Sequence, residues 1–152
     1  MKEGFCTAIG IVGSFVASFF GGWDAGLITL VIFMSIDYAT GLIVAGVFKA
    51  SPKTESGALE SKAGWKGLCR KGMTLLYVLI AHRLDLVVGS GTSFVRDLVV
   101  IGFMANELIS ITENAGLMGL PVPPIITKAI DILKKKAEEK SEEEEGAHGE
   151  NH

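Results

Sequence analysis

Between Gly4 and Phe48 the chain carries only two charged side chains, Asp24 and Asp37. A helix that crosses a bilayer needs about 20 mostly apolar residues, and this stretch holds two such runs back to back. The first, 4–23, is free of charge and ends at Gly21-Gly22-Trp23-Asp24, where Trp23 suits a membrane interface. The second, 25–48, is interrupted only by Asp37. So short a connection predicts an antiparallel hairpin. Two further apolar runs follow, 72–89 with His82, Arg83 and Asp85 inside it, and 98–116 with Asn106 and Glu107. The pattern predicts an all-α membrane protein with four transmembrane helices.

Charge in the connections sets the expected orientation. In the loop 49–71, Lys49, Lys53, Lys62, Lys66, Arg70 and Lys71 outnumber Glu55 and Glu60. The connection near residue 24 has no Lys or Arg, and the one near 93 has Arg96 alone. Basic short loops stay cytoplasmic, so both termini are expected on the cytoplasmic side. Lys2 at one end and Lys128 with Lys134, Lys135 and Lys136 at the other agree with this. The spans and their connections make up a domain 1–120. Gly119-Leu120-Pro121-Val122-Pro123-Pro124 stops the fourth helix. In 121–137, Ile125, Ile126, Ala129, Ile130, Ile132, Leu133 and Ala137 recur at helical spacing, which predicts an amphipathic helix lying in the interface or packed on its own subunit. Residues 138–152 are charged and poor in apolar side chains, and are expected to be a disordered tail. The N-terminal run is longer than a signal-peptide core, and Phe19 and Phe20 follow the small residues Ala17 and Ser18, a poor cleavage context, so a retained helix is expected.

No nucleophile elbow, zinc-protease helix, phosphate loop or dinucleotide fingerprint occurs, so no enzyme, cofactor or metal site is expected. His148 and His152 sit among Glu residues in the tail, and Cys6 and Cys69 lack metal-ligand spacing and are expected to be reduced. No basic patch with interleaved aromatics points to nucleic acid. The informative residues are polar ones inside the spans. A charge at mid-bilayer costs about 2.5–3.5 kcal/mol, whereas each Leu, Ile or Val returns about 0.3–0.6 kcal/mol. Arg83 and Asp85 therefore leave the third span marginal alone in lipid. Counted at about 1.5 Å per residue, Asp37, His82, Arg83, Asp85 and Glu107 fall near one level, with His82 and Asp85 on one helix face. This belt can pair internally, Arg83 with Asp37 or Glu107, or line a watery lumen between subunits. Small residues repeat every four positions in the first helix, as Gly10, Ser14, Ser18 and Gly22 and as Gly13, Ala17 and Gly21, with Gly41 and Ala45 forming a patch on the second. Such stripes let helices approach closely, within the hairpin or between subunits.

Several segments resemble the toxin secretion/phage lysis holin family. They are Asp37-Tyr38-Ala39-Thr40-Gly41, Lys66-Gly67-Leu68-Cys69-Arg70-Lys71, Asp85, and above all Glu107-x-x-Ser110-Ile111-x-x-Asn114 running into Gly119-Leu120-Pro121-x-Pro123. The resemblance covers about Asp37 to Leu133. It implies a multi-pass protein of the bacterial cytoplasmic membrane that forms homo-oligomers and opens lesions. Endolysin, or in some relatives a toxin, then leaves the cell without direct binding to the lesion-forming protein. A small ion channel or transporter subunit and an antiholin are the alternatives. The Arg83-x-Asp85 pair and the Glu-rich tail are not part of the family pattern.

Overall fold

The computed structural model describes residues 2–89 and 91–149. All regular structure in it is helical: α1 (Lys2–Phe19), α2 (Ala25–Ile43), α3 (Ser61–Val88), α4 (Phe94–Leu117) and α5 (Pro124–Gly149). A π-helical turn, Val44–Phe48, extends α2. Among the described residues, Ala25–Phe48 is the one helical stretch long and apolar enough to cross a membrane, and Ile9–Phe19 is a shorter apolar segment.

Local chemistry sets the helix ends. The Asp24 carboxylate accepts the Leu27 N–H at 2.8 Å and caps α2. At the other end Lys49 adopts a left-handed conformation and donates its N–H to Val44. The following loop folds back so tightly that a Cβ on Gly57, whose φ is +69°, would stand 2.2 Å from the Lys49 carbonyl oxygen. Gly57→Ala is therefore expected to loosen the 49–60 loop and destabilise the protein by at least about 1 kcal/mol. Faster proteolysis within 49–60 would report it, and unchanged cleavage would refute it. The α4 terminus is a Schellman motif: Gly119 has φ +77°, Leu120 N–H reaches Ala115 and Gly119 N–H reaches Gly116. Pro124 then opens α5, where its missing N–H does no harm.

α4 is the hub of the bundle, with α2, α3 and α5 all packed on it. The core joins Leu27, Leu30 and Met34 of α2, Val78 of α3, and Val100, Ile101 and Met104 of α4. Leu133 and Ala137 of α5 pack against its edge. Outside this core the large apolar side chains face outward: Ile28, Ile32 and Ile36 on α2, Leu76, Ile80, Leu84 and Val87 on α3, and Ile11, Val12 and Phe15 on α1. So large an exposed apolar surface marks contact with a membrane or with other proteins.

Three expectations are corrected. α1 and α2 do not form a packed hairpin. Among the described residues α1 packs on α3, and α2 packs on α4. Gly21 and Gly22, both at positive φ, make the turn between the two helices. Residues 61–71 belong to α3, so the loop is 49–60, and Lys62, Lys66, Arg70 and Lys71 sit on a helix. The segment 138–149, expected to be part of a disordered tail, is helical and continues α5. Its lack of apolar residues is outweighed by Glu, Lys and Ala, all strong helix formers. Residues 150–152 lie outside the described residues.

Candidate functional site

The polar residues of the apolar runs do not form one belt. They fall into two clusters at different levels of the bundle. Eleven positions separate Arg96 from Glu107 along α4, about 16 Å at helical rise.

The first cluster joins α2, α3 and α4. Lys71 Nζ donates to Asp37 Oδ2 at 2.8 Å and to Glu107 Oε2 at 2.5 Å. The three side chains are only 13, 9 and 11 % exposed, so this is a buried ion-pair network. Asn114 Nδ2 stands within hydrogen-bond distance of Asp37 Oδ1 (3.1 Å), the Asp37 carbonyl oxygen (3.3 Å) and Thr40 Oγ1 (2.9 Å). Two carboxylates thus share one ammonium, leaving a formal excess of one negative charge. A cavity of about 320 Å³ opens beside the network, lined among others by Tyr38, Lys53, Lys71 and Ser110.

Helical spacing explains how α4 serves this cluster. Glu107, Ser110 and Asn114 are three and four residues apart and share one face. Gly41 of α2 lies against it, since a Cβ there would meet Asn114 Nδ2 at 3.8 Å. Ala45 is buried as well. The α2 small-residue patch is therefore used inside the chain. Ile111 is half-buried on α4, and Gly119, Leu120, Pro121 and Pro123 make the turn from α4 into α5.

The second cluster is built on Arg96, which is 2 % exposed. Its guanidinium donates to Asp24 Oδ2 and to the Phe20 carbonyl oxygen, both at 2.5 Å, and approaches the Gly22 carbonyl oxygen at 3.5 Å. It thereby ties the end of α1 to the starts of α2 and α4. Asp85 is buried and accepts the N–H groups of Val95 and Arg96 at 2.8 and 2.9 Å, so it caps α4 from α3. Beside it, His82 Nδ1 is buried without a hydrogen-bond partner among the described residues. A Cβ on Gly21 would come within 2.9 Å of that nitrogen.

The hydrogen bond from Arg96 holds the Asp24 carboxyl below its ordinary pKa, against a smaller upward push from burial. A depressed folded-state pKa contributes stability above the unfolded value, about 3.9, and that contribution is lost as pH falls through the folded one. The melting temperature of detergent-solubilised protein is thus expected to fall more steeply with acid below about pH 4 than that of Asp24→Asn. Parallel acid profiles would refute the linkage.

The sequence-derived residues are therefore redistributed. Asp37 and Glu107 come together, but Lys71 is their partner and not Arg83, which is exposed. His82 and Asp85 stand with Arg96, level with Asp24. On α1, Ala17 is buried and Gly21 abuts His82, whereas Gly10, Ser14 and Ser18 are exposed, and added Cβ atoms at Gly10 and Gly13 would meet nothing within 4 Å. Sequence reasoning missed Lys71, Arg96, Asp24, Thr40 and Asn114 as network members. Among the described residues no group of His, Cys, Asp and Glu is placed to hold a metal ion.

Comparison with known proteins gives this geometry a family context. The profile of the bacteriophage holin family matches residues 14–135. The chain belongs to the bacteriophage holin family. That stretch takes in both clusters and the first part of α5, and membership implies a membrane location. The chain is 31% identical over 114 residues to a protein of Bacillus phage phi105 named "Probable holin", covering 75% of this chain and 78% of that one. It is 40% identical over 128 residues to an uncharacterized protein of Halalkalibacterium halodurans, covering 82% and 89% of the two chains. It is 33% identical over 133 residues to an uncharacterized protein of Clostridium perfringens strain 13, covering 86% and 93%. No solved structure matches the chain.

Proposed function

We propose that this chain is a holin that oligomerises in the bacterial cytoplasmic membrane and opens lesions through which an endolysin, or a toxin, leaves the cell. α1 to α4 are read as four spans with both termini cytoplasmic. The observation that carries the reading is the buried Lys71–Asp37–Glu107 network, set among α2, α3 and α4, of which α2 and α3 carry many large apolar side chains on their outward faces. A buried ion pair is weak evidence for stability, because desolvation offsets attraction. It is well suited to a switch: closed within one subunit it is compatible with lipid, and opened between subunits it offers charge to water. Pairing also sets the depths of the helices. Lys71 stands level with Asp37, near the middle of α2, so the membrane segment of α3 begins several residues before 72. The Lys62 and Lys66 turns then point toward the cytoplasm, where anionic lipid attracts them.

Inducible expression in a bacterium, with and without an endolysin, tests this. Abrupt lysis that requires the endolysin is the expected result. Steady growth with altered ion flux would instead identify a channel, and delayed lysis on co-expression with another holin an antiholin. The double variant Asp37→Asn, Glu107→Gln is expected to shift the time of lysis. Unchanged timing at equal protein level would remove the network from the mechanism.

A further inference from the structure

α5 lies antiparallel along α4 for most of its length. Ile130 is buried, Leu133 and Ala137 reach the core beside Val99 and Phe103, and Lys140 Nζ meets Asp97 Oδ2 at 3.2 Å in the first turn of α4. From 128 to 142, α5 carries nine charged side chains: Lys128, Asp131, Lys134, Lys135, Lys136, Glu138, Glu139, Lys140 and Glu142. All but Lys140 are exposed, so they face whatever surrounds the bundle. Charged side chains facing acyl chains at mid-bilayer are prohibitively unfavourable in such number. α5 seated on α4, and α4 spanning a bilayer, are therefore mutually exclusive arrangements. The seat is also incomplete: an open cavity of about 530 Å³ lies between the helices, lined by Tyr77, Val99, Phe103, Leu133 and Ala137.

We propose that α5 is a releasable strap: it covers the Val99–Phe103 face of α4 before that helix spans, and lipid acyl chains take its place when α4 enters the bilayer. The covered face is apolar, as acyl chains require, and the polar face of α5 is fit for water or for lipid headgroups once released. α3 shares the transition, because its Tyr77 borders the same cavity. The strap rests on the reading of α4 as a spanning helix, and the experiment keeps the two apart.

The 3.2 Å pair suits a zero-length carbodiimide link between Lys140 and Asp97. The full chain carrying Phe103→Trp, with Trp23→Phe and Trp65→Phe, is mixed with dye-loaded vesicles of anionic and zwitterionic lipid that have brominated acyl chains. The unlinked chain is expected to lose most of its tryptophan fluorescence to bromine quenching, and the linked chain to keep it. Carbodiimide-treated Lys140→Ala, which cannot form the link, is expected to be quenched like the unlinked chain. Three results would overturn the strap: equal quenching of linked and unlinked chains, no quenching of either, or no Lys140–Asp97 peptide found by mass spectrometry. Dye leakage, read from the same vesicles, reports lesion formation separately. Quenching without leakage would count against the holin reading and leave the strap standing.

Discussion

Lys71→Met is expected to bring lysis forward. In the closed subunit Lys71 is the cation that both Asp37 and Glu107 contact, and all three side chains are largely buried. Removing one partner from a buried ionic network leaves uncompensated charge and costs about 3–5 kcal/mol. The loss falls on the closed arrangement. An open arrangement, with the carboxylates in water, keeps their solvation and is favoured by comparison. The interval from induction to the fall in optical density should shorten at matched protein level. Unchanged or longer intervals would show that the network does not hold the subunit shut. The neutral triple variant Asp37→Asn, Lys71→Met, Glu107→Gln separates charge from packing. It removes the unpaired carboxylates, so it is expected to regain the closed bundle and to lyse late or not at all.

Arg96→Leu should detach α1. The guanidinium satisfies the Phe20 carbonyl and the Asp24 carboxylate while itself fully enclosed. Leucine fills part of the volume but leaves the Phe20 carbonyl and Asp24 Oδ2 without the donor they share, a loss of about 3 kcal/mol in bundle stability. This is less than at Lys71, because the Asp24 side chain is 48 % exposed and can turn to water. Arg96→Lys is expected not to rescue, since one ammonium cannot reproduce the planar fork that spans several acceptors. Cleavage by a protease in the 20–24 connection should rise sharply in both variants. Protection equal to the parent chain would show that α1 is held by other contacts.

Much of the fold was legible because apolar runs and helix stops are local signals. The α4 stop at Gly119 and the Pro-rich turn into α5 needed no tertiary information. The shared face of Glu107, Ser110 and Asn114 was likewise readable from spacing. What misled was the use of charge as a boundary marker. Lys71 sits at the edge of a basic stretch and reads as loop, yet the helix begins at Ser61 and carries it into the bundle. Arg96 reads as a lone charge in a connection, yet among the described residues it is the most enclosed charged side chain. Both depend on partners distant in sequence, 34 to 36 residues away for Lys71 and 72 to 76 for Arg96. Depth counted along each span separately also could not supply the relative register of α2, α3 and α4. That register places Asp85 beside the first turn of α4 instead of at the level of Asp37. For 138–149 the reason is different: low apolar content argues against a core, but not against a helix continued from a docked segment.

The central place of α4 has a consequence for how the subunit comes apart. α2, α3 and α5 each lean on α4, and α2 touches α3 only lightly. There is little second seam to hold a half-opened bundle together. Loosening α4 therefore frees the other helices in one concerted step, and amides in α2, α3 and α5 should lose protection from hydrogen exchange together. A device wired through a single shared helix behaves as a threshold element: it stays shut while α4 is held, and it does not leak by degrees.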